Sequence, residues 1–182
     1  YQRNKIVPNA KGTVLEIGIG SGLNIPFYNK REINKVYGLD PSAELCEMAI
    51  KTAKDNQIDV NILINGAEEI KLASNTVDSV LITYTLCSIP NFNDALKEIK
   101  RVMKSDGNIF FCEHGIAPDP KIKKWQNRIN PLWSKLFGGC NINRDIPFII
   151  NEAGFEVKSL QQMYLPSTPK IVGYNYWGVA SI

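Results

Sequence analysis

Two acids and three glycines near the start of the chain have the types and spacing of a ligand-binding site. An apolar run contains Glu16 and is followed by Gly18, Gly20 and Gly22. Such a run predicts a buried parallel strand, and the glycines allow a sharp turn in which a ligand can lie against bare backbone. Asp40 ends the next apolar run, 18 residues after Gly22. This interval is expected for an acid that accepts ribose hydroxyls in a βαβ nucleotide site.

The spacing of the glycines helps to decide between nucleotides. A dinucleotide fingerprint, Gly-x-Gly-x-x-Gly, would place its third glycine where this chain has Leu23. Glu16 would repel a pyrophosphate but would attract a cationic amino group, because opposite charges interact strongly at short range. S-adenosylmethionine has an amino group and a ribose, and it has no phosphate. The sequence therefore favours S-adenosylmethionine over a dinucleotide.

The pattern resembles class I S-adenosylmethionine-dependent methyltransferases of the methyltransferase-11 type. Within that class it is most similar to the branch that holds thiol-methyltransferase-like proteins and phospholipid and ubiquinone-biosynthesis methyltransferases. The matching stretches are Val14–Gly22, Gly38–Ser42, Gly66–Glu69, Val77–Pro90, Leu96–Gly115 and Gly138–Asn143. The resemblance implies a Rossmann-like α/β fold with five parallel strands and an antiparallel C-terminal pair.

The resemblance also implies which residues bind the cofactor. It places Glu16 near the methionyl amino group, partly through water, and Asp40 at the ribose. The adenine amino group is expected at Glu68, with the small Ala67 making room for the ring. Relatives often have aspartate where this chain has Gly66, so the acidic contact either moves to Glu68 or is lost. The full predicted cofactor set is Glu16, Gly18, Ile19, Gly20, Gly22, Asp40, Pro41, Ala67, Glu68, Thr83 and Leu86.

Three residues at the ends of the fourth and fifth predicted strands are candidates for catalysis. Tyr84 belongs to a loop expected to line the space around the transferred methyl group, and a core aromatic is the alternative. His114 is the only histidine, and its pKa range suits proton removal near neutral pH. A structural histidine is an equally good interpretation. Glu113 is expected to orient His114 or to pair with Arg144.

The cysteines argue against a metal site. All four lack CxxC spacing, which disfavours a zinc site or a disulfide framework and fits a reducing cytoplasm. Cys87 and Cys112 are interpreted as small buried apolar residues, since methyl transfer needs no covalent intermediate. We therefore predict a cytoplasmic protein without a metal ion.

The elements that position these residues alternate between strands and helices, which predicts a doubly wound parallel sheet. Ligands bind beyond the carboxyl ends of such strands, where the acids and glycines fall. The parallel strands are predicted at 13–17, 35–39, 59–64, 77–83 and 108–113, and an antiparallel pair at 155–165 and 171–181. Helices are predicted at 22–30, from Ser42 onward with Leu45, Met48, Ala49 and Thr52 facing the sheet, after Asn91, and at about 144–153.

Composition narrows the remaining possibilities. The 182 residues, 44% hydrophobic with a net charge of +3, suit a single domain and give no sign of nucleic-acid binding. Neither a transmembrane run nor a signal peptide is visible. Residues 116–145 are predicted to form a lid that faces the acceptor. Within it, the basic and aromatic stretch 121–137 either packs on the site or makes a peripheral membrane contact.

The sequence thus predicts in-line transfer of a methyl group from S-adenosylmethionine to a thiol, amine or hydroxyl of a small molecule or lipid. S-adenosylhomocysteine would be the product. Alignment of the reactants and exclusion of water would supply most of the catalysis. Two alternatives stay open: an NAD-linked oxidoreductase, and a catalytically silent cofactor-binding module that acts through partners.

Overall fold

Seven strands form one sheet in the computed structural model, which describes residues 2–182. In chain order the strands are β1 (Gly12–Ile17), β2 (Ile33–Leu39), β3 (Val60–Leu63), β4 (Val77–Thr83), β5 (Met103–His114), β6 (Glu156–Tyr164) and β7 (Tyr174–Ser181). Their order across the sheet is β3-β2-β1-β4-β5-β7-β6. The first five are parallel, and β7 lies antiparallel to both β5 and β6. The predicted fold class is confirmed.

Five α-helices accompany the sheet in the described part of the chain. They are α1 (Arg3–Ile6), α2 (Ala43–Asp55), α3 (Phe92–Val102), α4 (Pro120–Leu136) and α5 (Ile146–Glu152). The side chain of Ser42 accepts a hydrogen bond from the backbone N–H of Leu45 and so caps α2. Helix α4 fills most of the segment predicted as a lid. Among residues 2–182, none of the helices is both long and apolar enough to cross a lipid bilayer.

Strand order reverses at β1 and β4, because the chain winds outward from these central strands in both directions. Both faces of β1 are buried: Leu15 and Ile17 pack into one apolar cluster, and Val14 packs into the cluster on the other face. Because a parallel sheet is covered on both faces, side chains on either face of a central strand are buried. The sequence of such a strand is therefore a nearly continuous apolar run. The gap at the carboxyl ends of β1 and β4 is where the candidate site lies.

The prediction of a helix at 22–30 is wrong. After the glycine turn the chain makes irregular turns and a short 3₁₀ segment at Ile25–Phe27. Gly22 has a φ of +83°, outside the helical region, and Pro26 has no N–H to continue a hydrogen-bonded helix. The stretch is nevertheless well packed, since Ile25 is fully buried.

The buried face of α2 is rotated from the predicted one. Ala49 is buried as expected, but Met48 is 55% exposed, and Cys46 and Ala53 take the inward positions. Small residues therefore face the sheet, and the larger Leu45 lines the edge of the cavity described below. The periodicity of the sequence fits either face, because apolar residues occur on both.

Candidate cofactor and acceptor site

A cavity of about 520 Å³ opens at the carboxyl ends of β1, β2 and β4. This volume lies in the range of small-molecule sites in proteins. Its wall comes from the glycine turn, the start of α2, the loop after β3, the loop after β4, and α1. Gly138, just after α4, also lines the cavity. The lining residues include Arg3, Gly18, Ile19, Gly20, Asn24, Asp40, Pro41, Ala67, Glu68, Thr83, Tyr84, Ser88 and Gly138.

The glycine turn is fixed to the end of β2. The backbone N–H groups of Gly18 and Ile19 both donate to the carbonyl of Leu39, at 2.7 and 3.0 Å. Gly18 has a φ of +69°, and a Cβ there would lie 2.3 Å from Thr85 Oγ1. Gly20 has a φ of +54°, but a Cβ there would meet nothing within 4 Å. The space beside Gly20 is therefore open, as a ligand lying against bare backbone requires.

Asp40 is held rigidly at the edge of this turn. Its Oδ2 accepts a hydrogen bond from the Gly20 N–H at 3.0 Å, and its Oδ1 accepts one from the Ser42 N–H at 2.9 Å. A carboxylate has about four acceptor positions, so two remain for hydroxyl groups of a ligand. The position and orientation of Asp40 fit the ribose contact predicted for it.

Glu16 lies behind the cavity wall in a buried network. Its Oε1 accepts a hydrogen bond from Asn24 Nδ2 at 2.8 Å, and its Oε2 accepts one from the Tyr28 hydroxyl at 2.7 Å. Asn24 also donates to Thr83 Oγ1 at 2.7 Å. Burial raises the pKa of Glu16 to about 7, although the bonds from Tyr28 and Asn24 and the charge of Arg3 oppose the shift. Asn24, on the wall, thus stands between Glu16 and the cavity.

Arg3 adds a cation that was not among the site residues predicted from the sequence. Its Nε donates to Asn24 Oδ1 at 2.9 Å, and its guanidinium lies 5.3 Å from the centroid of the Tyr84 ring. Arg3 and Asn24 thus form a polar part of the cavity wall, and the Glu16 carboxylate lies behind Asn24. The Arg3 guanidinium can pair with a ligand carboxylate, whereas Glu16 can act on an amino group only through Asn24 or at a distance.

The loop after β3 forms another part of the cavity wall. Ala67 is buried and leaves room beside Glu68, whose Oε1 accepts a hydrogen bond from the backbone N–H of Asn91 at 3.3 Å. Pro41 lies on the same wall. This end combines a small residue with an acceptor oxygen, which suits a flat amino-bearing ring.

Glu113 positions the loop after β4. Its fully buried carboxylate accepts hydrogen bonds from the N–H groups of Thr85 at 2.6 Å, Leu86 at 3.0 Å and Cys87 at 3.4 Å. Burial raises its pKa, and these bonds oppose the rise. The carboxylate thus accepts hydrogen bonds from backbone groups, whereas the sequence suggested that it would contact the His114 ring or Arg144.

Tyr84 begins that loop in a strained conformation. Its φ is +53°, which is uncommon for a residue with a side chain and is concentrated at functional sites. The hydroxyl donates to Asn175 Oδ1 at 2.7 Å, while the ring lies edge-on to the His114 ring with centroids 6.2 Å apart. Tyr84 thus lines the cavity and also packs against His114.

His114 contacts two cysteines that lie far away in the sequence. Its Nε2 lies 3.0 Å from Cys140 Sγ, and the potential ligand atoms of Cys87, His114 and Cys140 all lie within 4.8 Å of one another. This cluster could not be predicted from the sequence, because the spacings of 27 and 26 residues match no ligand motif. Only the pairing of strands and the turn after α4 bring the three together.

The predicted cofactor residues divide into those on the wall and those behind it. Gly18, Ile19, Gly20, Asp40, Pro41, Ala67, Glu68 and Thr83 line the cavity, as does the catalytic candidate Tyr84. Glu16, Gly22 and Leu86 lie behind the wall, together with Glu113 and His114. The first group can touch a ligand, whereas the second supports residues that do.

A doubly wound sheet with a glycine turn and an acid at the switch point defines a Rossmann-like nucleotide-binding protein. The methyltransferase domain family matches residues 15–111, more than half of the chain. The chain therefore belongs to this family and is a methyltransferase. This confirms the resemblance found in the sequence, and it supports a methyltransferase over the NAD-linked alternative.

Individual relatives agree with this assignment. The chain is 30% identical over 177 residues to the thiol S-methyltransferase TMT1A of Homo sapiens, covering 95% of this chain and 72% of that protein. It superimposes with a TM-score of 0.79 on a methyltransferase of Bacillus halodurans, at 14% identity, covering 95% of this chain and 93% of that one. The TM-score is 0.77 for a geranyl diphosphate methyltransferase in complex with S-adenosylmethionine, at 16% identity and with 99% and 84% covered. At such identities these two structures establish the fold.

Proposed function

We propose that this methyltransferase transfers the methyl group of S-adenosylmethionine to the sulfur of a small thiol. The observation that carries the proposal is the arrangement of Glu113 and His114. The Glu113 carboxylate is engaged by three backbone N–H groups, and His114 Nε2 is engaged by Cys140. An amine or alcohol acceptor needs a base or strong desolvation, whereas a thiol is already partly ionised near neutral pH. The name of the human relative supports the same acceptor.

The residues on the wall fit the cofactor that the family implies. Gly20 leaves open space beside bare backbone, Asp40 offers two acceptor positions for ribose hydroxyls, and Glu68 with Ala67 suits the adenine ring. Asn24 and Arg3 would hold the amino acid end. When bound, S-adenosylmethionine supplies an electrophilic methyl group on a sulfonium.

The chain's own contribution would be to align the reactants and to exclude water. The cofactor wall is rigid, since Gly18, Ile19 and Asp40 are tied to neighbouring backbone. Tyr84 and Ser88, in the loop that Glu113 fixes, form the acceptor side of the cavity. Orientation of this kind can account for about 7–11 kcal/mol of a reaction barrier.

A panel of acceptors tests the proposal. We expect methylation of small aliphatic and aromatic thiols, with rates that rise as the pH approaches the pKa of each thiol, which is about 8.5 for a cysteine-like aliphatic thiol. Amines, phenols and phosphatidylethanolamine should react much more slowly. Methylation of amines or hydroxyls in preference to thiols would contradict the proposal, and no turnover on any acceptor despite cofactor binding would favour the silent module.

Cofactor binding is tested separately by calorimetry with S-adenosylhomocysteine. Asp40→Asn should weaken binding by about 10- to 100-fold, because a hydrogen bond to a charged group contributes roughly 1.5–3 kcal/mol. Asp55→Asn, at an exposed acid near the end of α2, is the matched control and should bind like the wild type. Unchanged affinity in Asp40→Asn would remove the ribose role.

We also propose that helix α4 contacts the surface of an anionic membrane. Trp125, Leu132 and Leu136 recur at helical spacing and are 56%, 64% and 67% exposed. Lys121 and Arg128 share this stripe, and the Arg128 guanidinium lies 5.9 Å from the Trp125 ring centroid. An exposed stripe of large apolar and basic side chains fits an interfacial helix. Location in the cytoplasm stays a prediction.

A further inference from the structure

The three side chains around His114 come from three separate parts of the fold. Cys87 follows β4, His114 is the last residue of β5, and Cys140 follows the glycine pair after α4. The thiols are almost fully buried, and Ile142 and Trp133 pack around them. Two sulfurs and one imidazole nitrogen therefore converge within 4.8 Å in a largely apolar setting.

The cluster is chemically unlike the other two cysteines. Cys46 lies 3.7 Å from a backbone carbonyl, and Cys112 lies within β5. By contrast, Cys140 Sγ lies 3.0 Å from His114 Nε2, and the Cys87 sulfur lies within 4.8 Å of both. The cluster thus brings two sulfur ligands and one imidazole ligand to the same point, a donor set that suits zinc.

We propose that Cys87, His114 and Cys140 bind one Zn²⁺ ion through two sulfur atoms and one imidazole nitrogen, and that a fourth coordination position stays open. Thiolate and imidazole are preferred ligands of zinc, and three protein ligands are typical of sites that keep an open position. Tetrahedral zinc places neighbouring ligand atoms about 3.4–3.8 Å apart. The distance of 3.0 Å between Cys140 Sγ and His114 Nε2 must widen slightly when the ion binds. The required distance stays below the 4.8 Å within which all the ligand atoms of the cluster lie.

The charge of the bound ion is matched by its ligands, and every proton that binding displaces is accounted for. The ion takes two thiolates and the neutral imidazole, and the protons of the two thiols leave to solvent. The ion's two positive charges are then matched by the two sulfurs.

We place the open position on the side of the cluster that is next to the cavity. Ser88 adjoins Cys87, Gly138 lies two residues before Cys140, and Tyr84 contacts His114; all three neighbours line the cavity. A thiol acceptor coordinated there would be held as its thiolate, because a metal ion deprotonates a coordinating thiol. This step rests on the proposed thiol acceptor, whereas metal binding itself does not.

Cobalt titration of the full chain, stripped of metal and kept reduced, tests the site without any methyl transfer. We expect one Co²⁺ per chain, a thiolate-to-cobalt charge-transfer band, and displacement by Zn²⁺. Cys87→Ser, Cys140→Ser and His114→Asn should each weaken binding at least about 100-fold, since loss of groups that only support ligands already costs 10- to 100-fold. Cys46→Ser, at an equally buried cysteine outside the cluster, should leave it unchanged. Absence of the band, or equal binding by all variants, would overturn the proposal.

A second measurement separates the open position from the acceptor assignment. Addition of 2-mercaptoethanol to the cobalt-loaded chain should increase the charge-transfer absorbance per cobalt, because a third sulfur joins the metal. An unchanged spectrum would overturn the open position. Thiol methylation by a chain that binds no cobalt would overturn the metal site and leave the proposed thiol acceptor intact. Stoichiometric cobalt binding without thiol methylation would support the metal site and overturn the proposed acceptor.

Discussion

Asn24 donates a hydrogen bond from Nδ2 to Glu16 Oε1 at 2.8 Å, and this amide stands between the buried acid and the cavity. The Tyr28 hydroxyl holds the other carboxylate oxygen. Glu16 can therefore act on a ligand through its charge and by orienting Asn24, since its own oxygens are screened from the cavity. The buried carboxyl also couples folding to pH.

The stability of the protein should fall as the pH rises from about 4.5 to about 7. Burial raises the pKa of Glu16 from 4.5 to about 7, so the folded state binds a proton that the unfolded state has already lost. Stability from this group is complete below pH 4.5 and is lost as the pH passes the folded-state pKa, by roughly 3 kcal/mol at most. Urea unfolding at a series of pH values measures the slope.

Glu16→Gln is the matched control for this dependence. The amide has the same shape and does not titrate, so its unfolding free energy should change less between pH 5 and pH 8 than that of the wild type. An identical slope in both proteins would show that other groups carry the pH dependence.

Gly18 and Gly20 should respond differently to the same substitution. Gly18→Ala places a methyl group 2.3 Å from Thr85 Oγ1 and should destabilise the fold by more than about 2 kcal/mol. Gly20→Ala meets no atom within 4 Å, so its cost in stability is about 1–2 kcal/mol of backbone strain. Its added methyl group instead occupies the cavity wall and should weaken S-adenosylhomocysteine binding tenfold or more, which is at least 1.4 kcal/mol.

Thermal unfolding and calorimetry on both variants check this division. The expected pattern is a large loss of stability in one variant and a large loss of affinity in the other. Similar losses of both properties in both variants would contradict the distinction between a packing glycine and a ligand-facing glycine.

The strands could be predicted from sequence because their apolar runs are short and bounded by turns. Bounds such as Val77–Thr83 match to the residue. The side on which Glu16 points could not be predicted, because β1 is buried on both faces and no alternation distinguishes them. The missing helix at 22–30 reflects local turn geometry around Gly22 and Pro26 that outweighs apolar spacing.

The acceptor side was harder to predict than the cofactor side. Gly18, Gly20 and Asp40 lie at the ends of the adjacent parallel strands β1 and β2, so their spacing in the sequence fixes their positions in space. Cys87, His114 and Cys140 meet only after the sheet and α4 have assembled, and Arg3 reaches the cavity from the first helix. Their sequence spacing therefore carries no signal.

Gln126 should be essential for attachment of α4. Its buried Oε1 accepts a hydrogen bond from the Ala117 N–H at 2.8 Å, and its Nε2 donates to the carbonyls of Gly115, Ile142 and Ile171 at 3.0–3.1 Å. Gln126→Leu leaves these backbone groups unpaired and should cost roughly 2–4 kcal/mol. Urea unfolding measures the loss, and hydrogen exchange should show faster exchange at the N–H of Ala117.

The neighbouring Asn127 provides the control for Gln126. It is exposed and accepts a single hydrogen bond from Asn143, so Asn127→Ala should change stability by less than about 0.5 kcal/mol. A small effect of Gln126→Leu, comparable to that of the control, would show that α4 is held mainly by apolar contacts.

Sedimentation with lipid vesicles tests the contact proposed for α4. The wild type should bind vesicles that contain phosphatidylserine better than vesicles of phosphatidylcholine alone, and added salt should weaken binding, because Lys121 and Arg128 attract anionic headgroups. Replacement of Trp125, Leu132 and Leu136 by serine should abolish sedimentation, since these side chains supply the apolar contact. Phe148→Ser is the control, because Phe148 is 58% exposed on α5, outside the stripe. Equal loss in this control, or vesicle binding that survives the triple replacement, would mean that the membrane is contacted elsewhere.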